Sequence, residues 1–111
     1  PQGDLFIPEH YINQLIEENQ DVDGIFAISD MLAHVVIKKL NALGKRVPED
    51  VKVIGYDGIK SYLNLGKEIT SILQPTADLA KSLVKILFNK IHKLPVEDII
   101  LPVTFYQGDT A

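Results

Sequence analysis

The chain contains no cysteine, which excludes a disulfide scaffold, a thiolate metal site and a cysteine nucleophile together. It is also poor in clustered cations. Lysine and arginine number 11 against 15 acidic residues, the net charge is −4, and the longest basic runs are the pairs Lys38-Lys39 and Lys45-Arg46. Phosphate recognition needs cations gathered on one face, so this segment offers no nucleic-acid surface of its own. No apolar run approaches the about 20 residues of a membrane span, and no secretory signal is visible. The sequence opens on Pro1 rather than Met, as expected of a piece of a longer chain.

Motifs that hold phosphates or nucleophiles are missing as well. There is no Gly-x-Gly-x-x-Gly, no Walker loop and no Gly-x-Ser-x-Gly elbow, so no cofactor is expected. His10, His34 and His92 are far apart and none has a second ligand at His-x3-His spacing. "DVDG" (21–24) opens like a calcium loop but lacks the later acidic ligands, and reads as a turn before a strand. "GYDG" (55–58) has the outline of a Gly-x-x-Gly clamp, yet Asp57 would repel phosphate.

What is present is an ordinary globular composition, 46% hydrophobic over 111 residues, enough for one modest domain or part of one. Apolar residues at helical spacing follow Pro8-Glu9: Tyr11, Ile12, Leu15 and Ile16. "GIFAI" (24–28) is a nearly continuous apolar run, the pattern of a buried parallel strand. Ser29 and Asp30, both good N-cap types, lead into a helix over 31–43 that ends before Gly44. "KRVPED" turns the chain into a second buried strand, 51–56. A polar loop (57–68) precedes a third strand, 69–73. Gln74-Pro75-Thr76 opens a long helix with Leu79, Leu83, Leu87 and Ile91 on one stripe and Ala80, Val84 and Phe88 beside it. A last extended stretch, 97–110, is broken by Pro102, which suits an edge strand. "DLFI" (4–7) is a short candidate strand ahead of Pro8. This alternation predicts an α/β fold with a mainly parallel sheet and flanking helices.

In open parallel sheets, ligands sit outside the carboxyl ends of the strands. Those ends carry Ser29-Asp30, Tyr56-Asp57 and Gln74. Two carboxylates, a hydroxyl, a phenol and an amide suit a ligand rich in hydroxyl groups, because one carboxylate can accept from two adjacent hydroxyls. The same residues have plainer readings: Ser29 or Asp30 as a helix cap, Asp57 as a turn aspartate between glycines.

The stretch "DGIFAISDMLAHVVIKKLNALGKRVPEDVKVIGYDGI", followed by "ITSILQPTADLAKSLVKILFNKI" and "LPVTFYQGDT", resembles the C-terminal part of the effector-binding core of the LacI/GalR family of bacterial repressors. The resemblance covers roughly residues 21–110 and is most specific at Val-Pro-Glu-Asp and Gly-Tyr-Asp. It implies a periplasmic-binding-protein-like core in which two α/β subdomains close on a small ligand, here present as a partial subdomain. Residues 8–74 would belong to the C-terminal subdomain, and 75–105 would supply a helix and strand that join the N-terminal one.

By the same resemblance, Asp57 is the strand-end aspartate that holds sugar hydroxyls. Ser29 stands where many members carry asparagine, Asp30 is its neighbour, and Gln74 lies at a crossover between subdomains. The chain departs from the family at Ser29, at "GKEITSILQP" and at the terminal "QGDT", which lacks an arginine. The implied protein is a cytoplasmic sugar-responsive repressor, not an enzyme. It meets operator DNA through an N-terminal domain outside this chain and works as a homodimer or higher homo-oligomer, away from membranes. Family dimers use the face of the helix after Ser29-Asp30, where His34, Lys38 and Asn41 lie. With the other subdomain absent, the Leu79–Ile91 stripe is expected to be exposed and to promote self-association, as an oligomer or a swapped dimer. Two other readings compete: a periplasmic or lipid-anchored sugar-binding protein of a transport system, and an enzyme with Asp30 or Asp57 catalytic.

Overall fold

The structure is a computed structural model and describes residues 9–58 and 66–111; the expected strand at 4–7 and the middle of the 57–68 loop lie outside them. Its centre is β2 (Lys52–Asp57), flanked by β1 (Gly24–Phe26) and β3 (Thr70–Leu73), both parallel to it. The fourth strand, β4 (Thr104–Tyr106), runs antiparallel to β3 and closes the order β1-β2-β3-β4. Pro102 has no N–H to give to a ladder, and β4 begins two residues after it, at the sheet edge. The fold class expected from the sequence is the one observed.

Three helices complete the fold: α1 (Glu9–Glu18), α2 (Asp30–Ala42) and α3 (Thr76–Ile91). Ile12 and Ile16 of α1 and Ala33, Val36, Ile37 and Leu40 of α2 turn inward, as their three- and four-residue spacings dictate. They meet Ala27, Val51, Val53 and Ile69 in one core. The register puts Phe26, Ile54, Tyr56, Ile72 and Phe105 on the opposite face of the sheet. On that face Phe26 is 66% exposed and Phe105 56%.

The expectation that "GIFAI" is buried throughout is therefore corrected. Only Ala27 is buried, and Ile28 is 81% exposed, because β1 is an edge strand packed by helices on one side alone.

α3 differs from the other two helices in having no buried residue. Its Leu79, Leu83, Leu87 and Ile91 stripe is exposed, and so are Val84 and Phe88 beside it. The expected bare apolar face is present.

The C-terminal residues do something the sequence did not announce. Thr110, 1% exposed, fills the opening between β2 and β3 just ahead of their first paired residues. Its carbonyl accepts from Val53 N at 2.8 Å. Its hydroxyl donates to Val53 O at 2.7 Å and accepts from Thr70 N at 2.9 Å. Asp109 seconds it: its N–H donates to Glu68 O at 2.6 Å, and its Oδ2 accepts from Glu68 N at 2.8 Å. Gly108 lies so close to the chain that a Cβ there would stand 2.5 Å from Glu68 O and 2.7 Å from the Ile69 carbonyl carbon. Both are backbone atoms, so the neighbour cannot swing aside.

Candidate functional site

β1, β2 and β3 run in the same direction, so their carboxyl ends share one edge of the sheet, and Ser29, Asp30, Tyr56, Asp57 and Gln74 all follow or form those ends. The geometry then divides them. Asp57 and Gln74 are brought together: Gln74 Nε2 donates to Asp57 Oδ1 at 2.6 Å. Asp57 ends β2 with a φ of 115°, a conformation that residues with a Cβ rarely adopt. Tyr56 and Gln74 line a cavity of about 250 Å³ together with Pro75, Leu79, Leu83 and Leu101. Asp57 adjoins this cavity through the Gln74 amide. The lining is mostly apolar with a few polar groups, among them Tyr56 and Gln74, the usual makeup of a small-molecule site.

Ser29 and Asp30 are engaged elsewhere. The Ser29 hydroxyl caps α2, accepting from Leu32 N at 3.1 Å, with an extended backbone at the cap position. Asp30, in the first turn of α2, is 2% exposed. Its Oδ1 accepts from Ser71 Oγ at 2.6 Å, and the positive end of the α2 dipole favours a carboxylate there. This placement explains Gly55: a Cβ on it would run into Asp30 Oδ1 and crowd Ile69 and Ala33. Asp30 thus lies over Gly55 of β2 and ties α2 to β3, beside the strand ends that lead to Asp57 and Gln74. Ser71 went unnoticed in the sequence, because the register that sets Gly55 beside Ser71 is visible only once the strands pair.

The turn that feeds β2 is built by charge. Arg46 donates from Nε to Asp50 Oδ2 at 3.0 Å and from Nη2 to Oδ1 at 2.8 Å, while its backbone N–H also reaches Oδ2 at 2.7 Å. These bonds hold the Asp50 carboxyl well below the usual carboxylate range. Lys67 Nζ donates to Val47 O from the other side of the loop. At the sheet edge, the Tyr106 hydroxyl donates to Glu68, which pushes the phenol up.

His34 is half-buried on α2 beside a second cavity of about 310 Å³ between α1 and α2, lined also by Glu9, Lys38 and Lys39. His10 and His92 are exposed. Among the described residues, no group of three or more acidic, histidine or cysteine side chains could hold a metal ion, and no helix is long and apolar enough to cross a membrane.

Comparison with known proteins adds an independent line. The periplasmic binding protein-like domain matches residues 5–111. The sucrose operon repressor of Streptococcus mutans is 39% identical over 98 residues, which is 87% of this chain and 31% of the repressor. Among solved structures, the transcriptional regulator CelR–cellobiose complex superposes with a TM-score of 0.82 at 29% identity, covering 90% of this chain and 31% of that one. A LacI family transcriptional regulator from Enterococcus faecium with bound ribose gives a TM-score of 0.76 at 32% identity, covering 89% and 38%. The chain spans about a third of the length of these relatives, which are regulators of transcription rather than enzymes. The chain therefore belongs to the periplasmic binding protein-like domain family, among the LacI-type transcriptional regulators.

Proposed function

We propose that this chain is the effector-sensing segment of a LacI-type repressor. It binds a small sugar or sugar-like ligand at the carboxyl edge of its parallel sheet. The observation that carries the reading is Asp57: a carboxylate at the end of the central strand, in a rare backbone conformation, beside a hollow lined by Tyr56 and Gln74. An ionised carboxylate accepts from two neighbouring hydroxyls, each bond strengthened by its charge. Ser29 sits at the same edge and is offered to the ligand alongside its cap bond, while Asp30 braces the strand ends from below. Residues 75–105 belong with a second subdomain that closes over the ligand. Relatives solved with cellobiose and ribose support a saccharide rather than another polyol-binding role.

In the longer protein, ligand-dependent closure would change the affinity for operator DNA through a separate DNA-binding domain, because a ligand shifts an equilibrium only by binding its states unequally. That protein is a cytoplasmic homodimer or higher homo-oligomer, with the face of α2 that bears His34, Lys38 and Asn41 as the pairing surface.

The test is calorimetric titration of sucrose, cellobiose and ribose into the full-length product of the gene and into its Asp57→Asn variant. A sugar that binds the wild type should bind the variant at least about tenfold more weakly, the worth of one charge-assisted hydrogen bond. Equal affinity in both would remove Asp57 from the site. A secretion signal encoded upstream of Pro1 would turn the same crevice into a transport receptor.

A further inference from the structure

Ser71 is a polar residue in β3 that is 1% exposed, a position where an apolar side chain would serve burial better. Its hydroxyl therefore needs a reason. The one proton it carries goes to Asp30 Oδ1 at 2.6 Å, at the short end of the range for such bonds, while Ile72 O stands farther off at 3.5 Å. Asp30 is itself 2% exposed, and a bond sealed from water is electrostatically stronger than one at the surface. Gly55 is the strand partner of Ser71 and lies beneath this contact. A Cβ on it would stand 2.3 Å from Asp30 Oδ1, so the bond can cross β2 only over a glycine.

We propose that Ser71 is a positioning residue for the ligand site, acting through Asp30 to fix where Ser29 stands relative to Asp57 and Gln74. Ser29 is one residue before Asp30, Asp57 two after Gly55 and Gln74 three after Ser71. One bond thus spans three elements, each within a few residues of a polar group at the carboxyl edge. Packing alone does not do this. Ala33, Val36, Ile37 and Leu40 hold α2 against the sheet, but apolar burial is non-directional and leaves the helix free to slide along its axis. A hydrogen bond has a direction and a length, and a binding constellation must be held to within about 0.5 Å. The effect on affinity rests on the sugar-sensing reading above; the effect on the placement of Ser29 does not.

The test uses two variants of the full-length protein. Ser71→Ala removes the hydroxyl, whereas Ser71→Thr keeps it on a residue that suits a strand. Hydrogen exchange read by mass spectrometry compares the first turn of α2, where Leu32 N bonds Ser29 Oγ, with its buried middle, 36–40. Ser71→Ala should speed exchange in the first turn alone, by about tenfold for the loss of one hydrogen bond, and Ser71→Thr should match the wild type. Unchanged first-turn exchange in Ser71→Ala would overturn the proposal. So would equal acceleration along the whole of α2, which is what a merely structural role produces.

Sucrose, cellobiose and ribose are then titrated calorimetrically, at a temperature where circular dichroism shows every variant folded, so that lost stability does not enter the affinity. A sugar that binds the wild type should bind Ser71→Ala about tenfold more weakly and Ser71→Thr as well as the wild type. Equal affinity in Ser71→Ala would overturn the positioning role and leave the sugar reading standing. A first-turn effect with no sugar bound by the wild type would uphold the placement of Ser29 by Ser71 and sink the sugar reading instead.

Discussion

The two ends of this chain spend their apolar residues in opposite ways. Between α1, α2 and the sheet, Ile16, Leu40 and Val53 are sealed from water. Along α3 and the return to β4, Leu87 is 60% exposed and Ile100 is 95%. Both stretches have the same helical or extended apolar patterning, so patterning alone does not say where burial occurs. Burial requires an opposing layer, and among the described residues only the first region has one. The contrast also divides the roles: a packed platform carries Asp57, and the helix that follows Gln74 is left bare within this segment.

The sharpest way to break this contrast is to shorten one leucine on each side. Leu40→Ala should cost about 2–5 kcal/mol, the loss of a buried side chain plus the cavity it leaves. In the 111-residue segment, Leu87→Ala should change stability by less than about 0.5 kcal/mol, as an exposed position does. Urea denaturation followed by circular dichroism measures both. Comparable losses would mean that α3 is covered in solution, and a concentration dependence confined to the Leu87 series would identify a second copy as the cover.

The next effect in size concerns the C-terminal clasp. Thr110→Val keeps the volume but leaves Val53 O and Thr70 N without their hydroxyl partner, at a cost of about 1–3 kcal/mol. Gly108→Ala should cost a similar amount, about 1–3 kcal/mol, since its methyl would meet backbone that must move. The same urea midpoints report them. If neither variant is destabilised, the tail after β4 is an ornament on the sheet rather than part of it.

How far the fold could be read in advance follows the range of each interaction. Elements announced by local signals were legible: the Ser29 cap, the apolar spacing of α2, the Val51–Tyr56 run and the Pro102 break all act within a few residues. Asp57 stood out for the same reason, as a carboxylate between glycines at a strand end. The Thr110 clasp was not legible, because its partners Val53 and Thr70 lie 57 and 40 residues away. Asp30 shows the same limit from the other side. In sequence it is one more polar residue at a strand end, and nothing nearby says that Ser71, 41 residues on, will draw it under the sheet. The exposure of β1 was misjudged because an apolar run does not reveal whether its strand is central or at an edge.

The smallest effect separates a charge-built turn from the apolar platform it feeds. Asp50 is held ionised by Arg46, so its folded pKa is depressed. A depressed carboxylate contributes stability that is fully present above its unfolded value, about 3.9, and is lost as pH falls through the folded value. Because the pair lies at the surface, salt should weaken the contribution too. Wild-type stability should therefore decline below about pH 4 more steeply than that of Asp50→Asn, which has no proton to take up at this site. Thermal melts at pH 3 and pH 7, in low and high salt, would measure the difference. A pH dependence identical in wild type and Asp50→Asn would show that the turn is held by its backbone and by Lys67 on Val47 O rather than by the Arg46 fork, and that charge does not add to what the packed platform already supplies.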